Sequence, residues 1–128
     1  MNLKVESRTF TVKGFTKIAP NVVPVKINIS VESAGEKISY IHSSDNSLKL
    51  VEKVPKYVII TLKCTYYVPD YIKEIINTAA KGLGKHICMT DTIIHKCIVS
   101  EISLSKEQLL EILNTIIEAI EKKQPEIL

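Results

Sequence analysis

The stretch Lys56-Tyr57-Val58-Ile59-Ile60-Thr61-Leu62-Lys63-Cys64-Thr65-Tyr66-Tyr67-Val68-Pro69-Asp70-Tyr71-Ile72-Lys73-Glu74-Ile75-Ile76 changes its hydrophobic period at the proline. Before it, Val58, Ile60, Leu62, Cys64 and Tyr66 fall on one side, and Tyr57, Ile59, Thr61, Lys63, Thr65 and Tyr67 on the other. That is the period-2 signature of a strand, the longest in the chain, and its expected place is the middle of a sheet. After it, Ile72, Ile75, Ile76, Ala79 and Leu83 recur at helical spacing. Pro69 suits a first helical turn, Asp70 and Glu74 suit the positive end of the helix, and Gly82-Leu83-Gly84 supplies a left-handed stop.

Working upstream, Val23, Val25, Ile27, Ile29 and Val31 alternate with Lys26, Asn28, Ser30 and Glu32, a strand with one wet face. An earlier strand is expected across Leu3–Lys13, with Gly14 and Pro20 bracketing the loop between. Ala34-Gly35-Glu36 reads as a turn before a short strand at Lys37–His42, and Ser43-Ser44-Asp45-Asn46-Ser47 reads as the most mobile loop. Downstream, Ser105 with Gln108 has the spacing of a capping box, and Leu104 with Leu109 that of a hydrophobic staple. Leu109, Ile112, Leu113, Ile116, Ile117 and Ile120 then form one apolar stripe. The expected fold is a single α+β domain over residues 1–128. An antiparallel sheet from residues 3–68 and 92–103 is covered on one face by helices near 69–83 and 105–123.

Composition narrows the function classes. The chain has 128 residues, of which 45% are hydrophobic and 24% charged, an ordinary globular balance large enough for one core. No apolar run reaches the roughly 18–20 residues of a membrane helix, and the N-terminus does not open a secretory signal, so a soluble, cytoplasmic protein is expected. Three cysteines are too few for a disulfide framework and suit a reducing compartment. Residues 1–100 carry 14 Lys and Arg against 8 acids, and residues 101–128 carry 3 against 6. Arg8 is the single arginine, and base-edge reading leans on the guanidinium fork, so sequence-specific nucleic-acid binding is disfavoured. Twenty isoleucines exceed what one thin sheet hides, which predicts a homo-oligomer, with a dimer as the simplest form.

Candidate chemistry concentrates in His86-Ile87-Cys88-Met89-Thr90-Asp91-Thr92-Ile93-Ile94-His95-Lys96-Cys97. Three readings stand side by side. As a metal site, a turn at Asp91-Thr92 would set Cys88 opposite His95 and His86 opposite Cys97, with all four donors on one face. The ligand types fit zinc, but donors about 5–7 Å apart on a flat ribbon do not. As a thiol site, Cys88 follows a helix with Lys85 and His86 beside it, and cationic neighbours raise a thiol's thiolate fraction. Cys97 or Cys64 would be its partner thiol. As plain structure, Cys64 and Cys97 are small buried hydrophobes, the preferred reading for those two, while for Cys88 it stands level with the thiol reading. His42 receives no role, and Asp70, Glu74, Glu107 and Glu111 read as helix-end and solvent-face charges. There is no Gly-rich phosphate loop, no G-x-S-x-G elbow and no H-E-x-x-H helix, and no cofactor is expected.

From about Val54 to Leu104, the Pro-Lys-Tyr entry to a long strand, the short helix, the segment Lys85-His86-Ile87-Cys88-Met89-Thr90-Asp91-Thr92-Ile93 and a closing strand resemble the second half of the OsmC/Ohr family of thiol-dependent hydroperoxide reductases. Cys88 would match that family's resolving cysteine. The family's peroxide-attacking cysteine lies on a preceding helix, whereas here strands precede with no cysteine before Cys64, and the family's proline after the cysteine is Met89. The resemblance implies an α+β domain that forms intimate dimers. Two functions are therefore expected in competition: a binding or assembly module without a complete catalytic site, or an OsmC-like thiol-dependent peroxide reductase using Cys88.

Overall fold

The structure is a computed structural model that describes residues 3–4, 7–14, 22–35, 37–42, 44, 48–54 and 57–124. In chain order it contains β1 (Leu3–Lys4), β2 (Arg8–Gly14), β3 (Val23–Ala34), β4 (Lys37–His42), β5 (Leu48–Val54), β6 (Tyr57–Cys64), α1 (Asp70–Leu83), β7 (His86–Thr90), β8 (Ile94–Ser100) and α2 (Lys106–Lys122). The main sheet runs β1-β3-β6-β8-β7, and β2 also pairs with β3. Every pairing is antiparallel.

Alternation decides which way each strand faces. Val25, Ile27, Ile29 and Val31 of β3 are buried, as are Val58, Ile60, Leu62 and Cys64 of β6 and Cys97 and Val99 of β8. The register stacks them in rows, Ile29 beside Leu62 and Val31 beside Ile60 and then Cys97. Both helices press on this face, α2 over β3 and α1 over β8 and β7, and they touch each other. α1 contributes Ile72, Ile75, Ile76 and Ala80, and α2 contributes Leu109, Leu113, Ile116 and Ile120. Each large side chain so enclosed stabilises the fold by about 1.5–3 kcal/mol. The expected α+β arrangement of antiparallel sheet and two covering helices is what the chain adopts.

The start of α2 behaves as read, whereas Pro69 falls one position before the first turn of α1. Ser105 Oγ accepts from Gln108 N at 3.2 Å, and Gln108 Oε1 accepts from Ser105 N at 2.8 Å, a reciprocal capping box. Pro69 stands just outside α1 in an extended conformation, and its carbonyl accepts from Ile72 N and Lys73 N.

Three expectations about the sheet need correction. β4 and β5 form a separate two-stranded hairpin and do not join the main sheet. β3 is already paired on one edge by β1 and β2 and on the other by β6, so a strand that directly follows it finds no free edge there. Gly35 makes the exit at φ 75°, close against the Tyr57 ring, where a side chain could not fit. Second, the long strand stops at Cys64, and Tyr66 is 68% exposed. Cys64 N donates to Ile93 O as a last rung beside β8, and Val68 N donates to Thr92 O, which ties the following loop to the hairpin turn. Third, His86–Thr90 is a strand of the main sheet, outside the 3–68 and 92–103 ranges. Most of the Ser43–Ser47 loop, and the residues between Gly14 and Pro20, lie outside the described residues.

Candidate functional site: a cysteine pair beside a buried histidine

β7 and β8 form a hairpin whose register is set at its turn. Asp91 N donates to Ile94 O at 2.7 Å, and Asp91 Oδ1 accepts from Thr92 N at 2.8 Å, leaving Thr92 and Ile93 as the turn residues. The pairing is therefore Thr90 with His95, Cys88 with Cys97 and His86 with Val99. The sequence had placed the turn one residue earlier, opposing Cys88 to His95 and His86 to Cys97. Moving the turn by one residue shifts the register by two, which leaves every side chain on its expected face and changes only its neighbour. The loop after β6 holds this turn, since Val68 N bonds Thr92 O at 3.0 Å. The same loop starts α1, so helix and hairpin are tied together at one end.

Cys88 and Cys97 are joined by a disulfide, with their Cα atoms 4.0 Å apart. Cys97 is fully buried in β8, while Cys88 is half-buried on the sheet's last strand. His95, two residues before Cys97 on the same face, is 1% exposed, and both of its ring nitrogens are engaged. Nε2 lies 2.7 Å from Asn77 Oδ1, and Nδ1 lies 2.7 Å from Thr90 Oγ1. With Asn77 Oδ1 accepting, Nε2 carries the proton and Nδ1 accepts from the Thr90 hydroxyl, a neutral imidazole. Burial lowers the His95 pKa below its ordinary value, and the Lys73 ammonium lowers it further. Cys97 Sγ sits 3.5 Å from Asn77 Oδ1 and 3.6 Å from His95 Nε2. In the dithiol state Asn77 Oδ1 is thus placed to accept the Cys97 S–H.

The remaining residues singled out from the sequence lie apart. His86 is on the same face of β7, but its Nδ1 donates to Gly84 O at 3.0 Å, and it stands opposite Val99. Lys85 precedes the strand and is exposed. Cys64 is buried in β6, and burial pushes its thiol up to about 11, as a structural thiol would be. Sequence reasoning missed Asn77 and Thr90. Thr90 shares the alternation of His86 and Cys88, a signal that was available. Asn77 follows Ile76 at the edge of the α1 stripe, and only the packing of α1 over β8 brings it to the histidine. A groove between α1 and α2, lined by Ile75, Thr78, Ala79, Thr115 and Ala119 among others, holds none of these groups.

No protein-family model, curated protein or solved structure matches the chain. Among the described residues, no helix is long and apolar enough to cross a membrane.

Proposed function

We propose that this chain is a cytoplasmic thiol–disulfide redox protein whose working pair is Cys88 and Cys97. The observation that carries the reading is the bonded pair itself, one sulfur half-buried on an edge strand and the other enclosed against His95 and Asn77. Intracellular disulfides are chiefly transient and catalytic or sensory, so the pair rests as a dithiol and works by closing. The Cys88 thiolate attacks the outer oxygen of a peroxide, which breaks the O–O bond, forms the sulfenic acid and releases the alkoxide as an alcohol after protonation. The Cys97 sulfur displaces hydroxide from that sulfenic acid, and its thiol proton completes the departing water as the disulfide forms. An external thiol then attacks the more accessible Cys88 sulfur and restores the dithiol. The OsmC/Ohr resemblance supplies organic hydroperoxides as the substrate class to try first, although here Cys88, the match to that family's resolving cysteine, takes the attacking role because it is the more accessible thiol.

The test is thiol counting on the whole chain. Reduced protein treated with an organic hydroperoxide should lose two reactive thiols per oxidant consumed and regain them with a dithiol reductant. Cys97→Ser should accumulate the sulfenic acid on Cys88, and Cys88→Ser should not react. Equal reaction by Cys88→Ser would end this reading.

The assembly reading has its own support on the sheet face turned away from the helices. Ile87 is 68% exposed and Met89 54%, and Ile87 continues a cross-strand row through Ile98 and Ile59. Among the described residues the outer edge of β7 is unpaired, so a second copy could extend the sheet two-fold and set its own Ile87 and Met89 beside these. Light scattering should then give twice the chain mass, and Ile87→Lys should halve it.

A further inference from the structure

The disulfide is one of two things this cluster can hold. Cys88, His95 and Cys97 bring their donor atoms within 4.8 Å of one another. Asn77 Oδ1 adds an oxygen 3.5 Å from Cys97 Sγ. We propose that the reduced Cys88–Cys97 pair, with His95 Nε2 and Asn77 Oδ1, is a zinc site, and that ion and disulfide exclude each other.

The distances carry the argument. Two donors bound to one tetrahedral zinc at 2.0–2.3 Å lie about 3.4–3.8 Å apart. Cys97 Sγ is already 3.6 Å from His95 Nε2 and 3.5 Å from Asn77 Oδ1, so three of the four donors meet two of their three required separations. His95 Nε2 and Asn77 Oδ1, at 2.7 Å, must part by several tenths of an ångström, and the two sulfurs part when their bond is reduced. The flat-ribbon objection applied to donors fixed at strand spacing. It lapses because the His95 ring leans along its strand toward Cys97 and the fourth donor comes from the helix above. Two thiolates and an imidazole are zinc's customary soft ligands, and the Asn77 carboxamide oxygen completes the four as the weakest of them.

The histidine has a second hydrogen-bonding arrangement ready for the ion. A metal-bound Nε2 carries no proton, so the ring proton moves to Nδ1 and donates to Thr90 Oγ1, which lies at 2.7 Å. This outer contact orients the ring, as such contacts commonly do at metal-bound histidines. Loading releases two thiol protons for each ion taken up. A peroxide then withdraws two electrons from the thiolate pair. With two protons it leaves as alcohol and water, the sulfurs bond to each other and the ion departs. This exclusion rests on the redox reading above; the ligand set does not.

The experiment titrates whole chain with zinc alone, in competition with a chromogenic chelator, once reduced with a phosphine and once oxidised. One ion per reduced chain and none per oxidised chain is the expected result. Cys88→Ser and Cys97→Ser should each weaken binding about a hundredfold, Cys64→Ser should leave it unchanged, and Thr90→Val, an exposed position, should cost about tenfold to a hundredfold. Cobalt in the same site should show thiolate charge-transfer absorption that Cys88→Ser weakens and the Cys88→Ser, Cys97→Ser double variant removes. Equal zinc retention by oxidised and reduced chain, or none by the reduced chain, overturns the proposal without the need for any variant. A reduced pair that consumes peroxide yet holds no zinc defeats only the metal site. A pair that holds zinc yet never oxidises defeats the redox reading and keeps the ligand set.

Discussion

Between β3 and β6 the helix-covered face carries Ile27, Ile29, Val31, Ile60 and Leu62, whereas on β8 and β7 the same face carries His95, Cys97, Thr90 and Cys88. The first region is closed by the apolar stripe of α2, and the second by α1, which adds Asn77. The contrast shows what allows polarity under a helix. A buried imidazole needs a partner for each nitrogen, and here one comes from the helix and one from the neighbouring strand. The apolar region requires only matched volume, so it contributes stability and no chemistry. The polar region gives up some burial and gains groups that can bind or react.

The largest expected difference between the regions is in their thiols. Cys64, in the apolar region, has its pKa raised by burial to about 11. Burial thus leaves Cys64 with far less thiolate near neutral pH than a thiol in contact with water carries. In reduced native protein, an alkylating reagent at pH 7 to 8 should therefore modify Cys88 rapidly and leave Cys64 intact until denaturant is added. Fast labelling of Cys64, followed by mass spectrometry, would erase the distinction.

Next in size is packing. Leu113 is 1% exposed on α2, and Leu113→Ala should cost about 2–5 kcal/mol in urea unfolding. It should leave peroxide and zinc behaviour of the refolded protein unchanged, because the residue serves the apolar half alone. Asn77→Leu should cost less, about 1–3 kcal/mol, by stranding the buried His95 Nε2. Adding His95→Leu should recover part of that loss, since both partners are then apolar. Strictly additive losses would show that the histidine and asparagine do not act as a unit. The smallest effect belongs to neither region: Ser105→Ala removes the cap of α2 and should cost about 1 kcal/mol.

Legibility followed the range of the forces involved. The strand at Tyr57–Cys64, apart from its end, the α1 stripe and the Ser105–Gln108 cap could be read directly because each depends on residues a few positions apart. The cysteine and histidine donors could also be placed on one face, because alternation along a strand determines facing. Their partners could not. A two-residue change of register preserves every facing, so the pattern is equally content with Cys88 beside His95 or beside Cys97, and the hydrogen bonds of the turn at Thr92-Ile93 make the choice.

By itself, then, the sequence determined the α+β class, the helix limits to within a residue or so, and the concentration of soft donors at one hairpin. Only the tertiary structure decided that β4 and β5 leave the sheet, that Cys88 bonds Cys97, and that Asn77 meets His95. The physical reason is common to all three. Edge occupancy, cross-strand register and helix-on-sheet packing are set by contacts between residues distant in the chain, and periodicity along one segment carries no record of what will lie beside it.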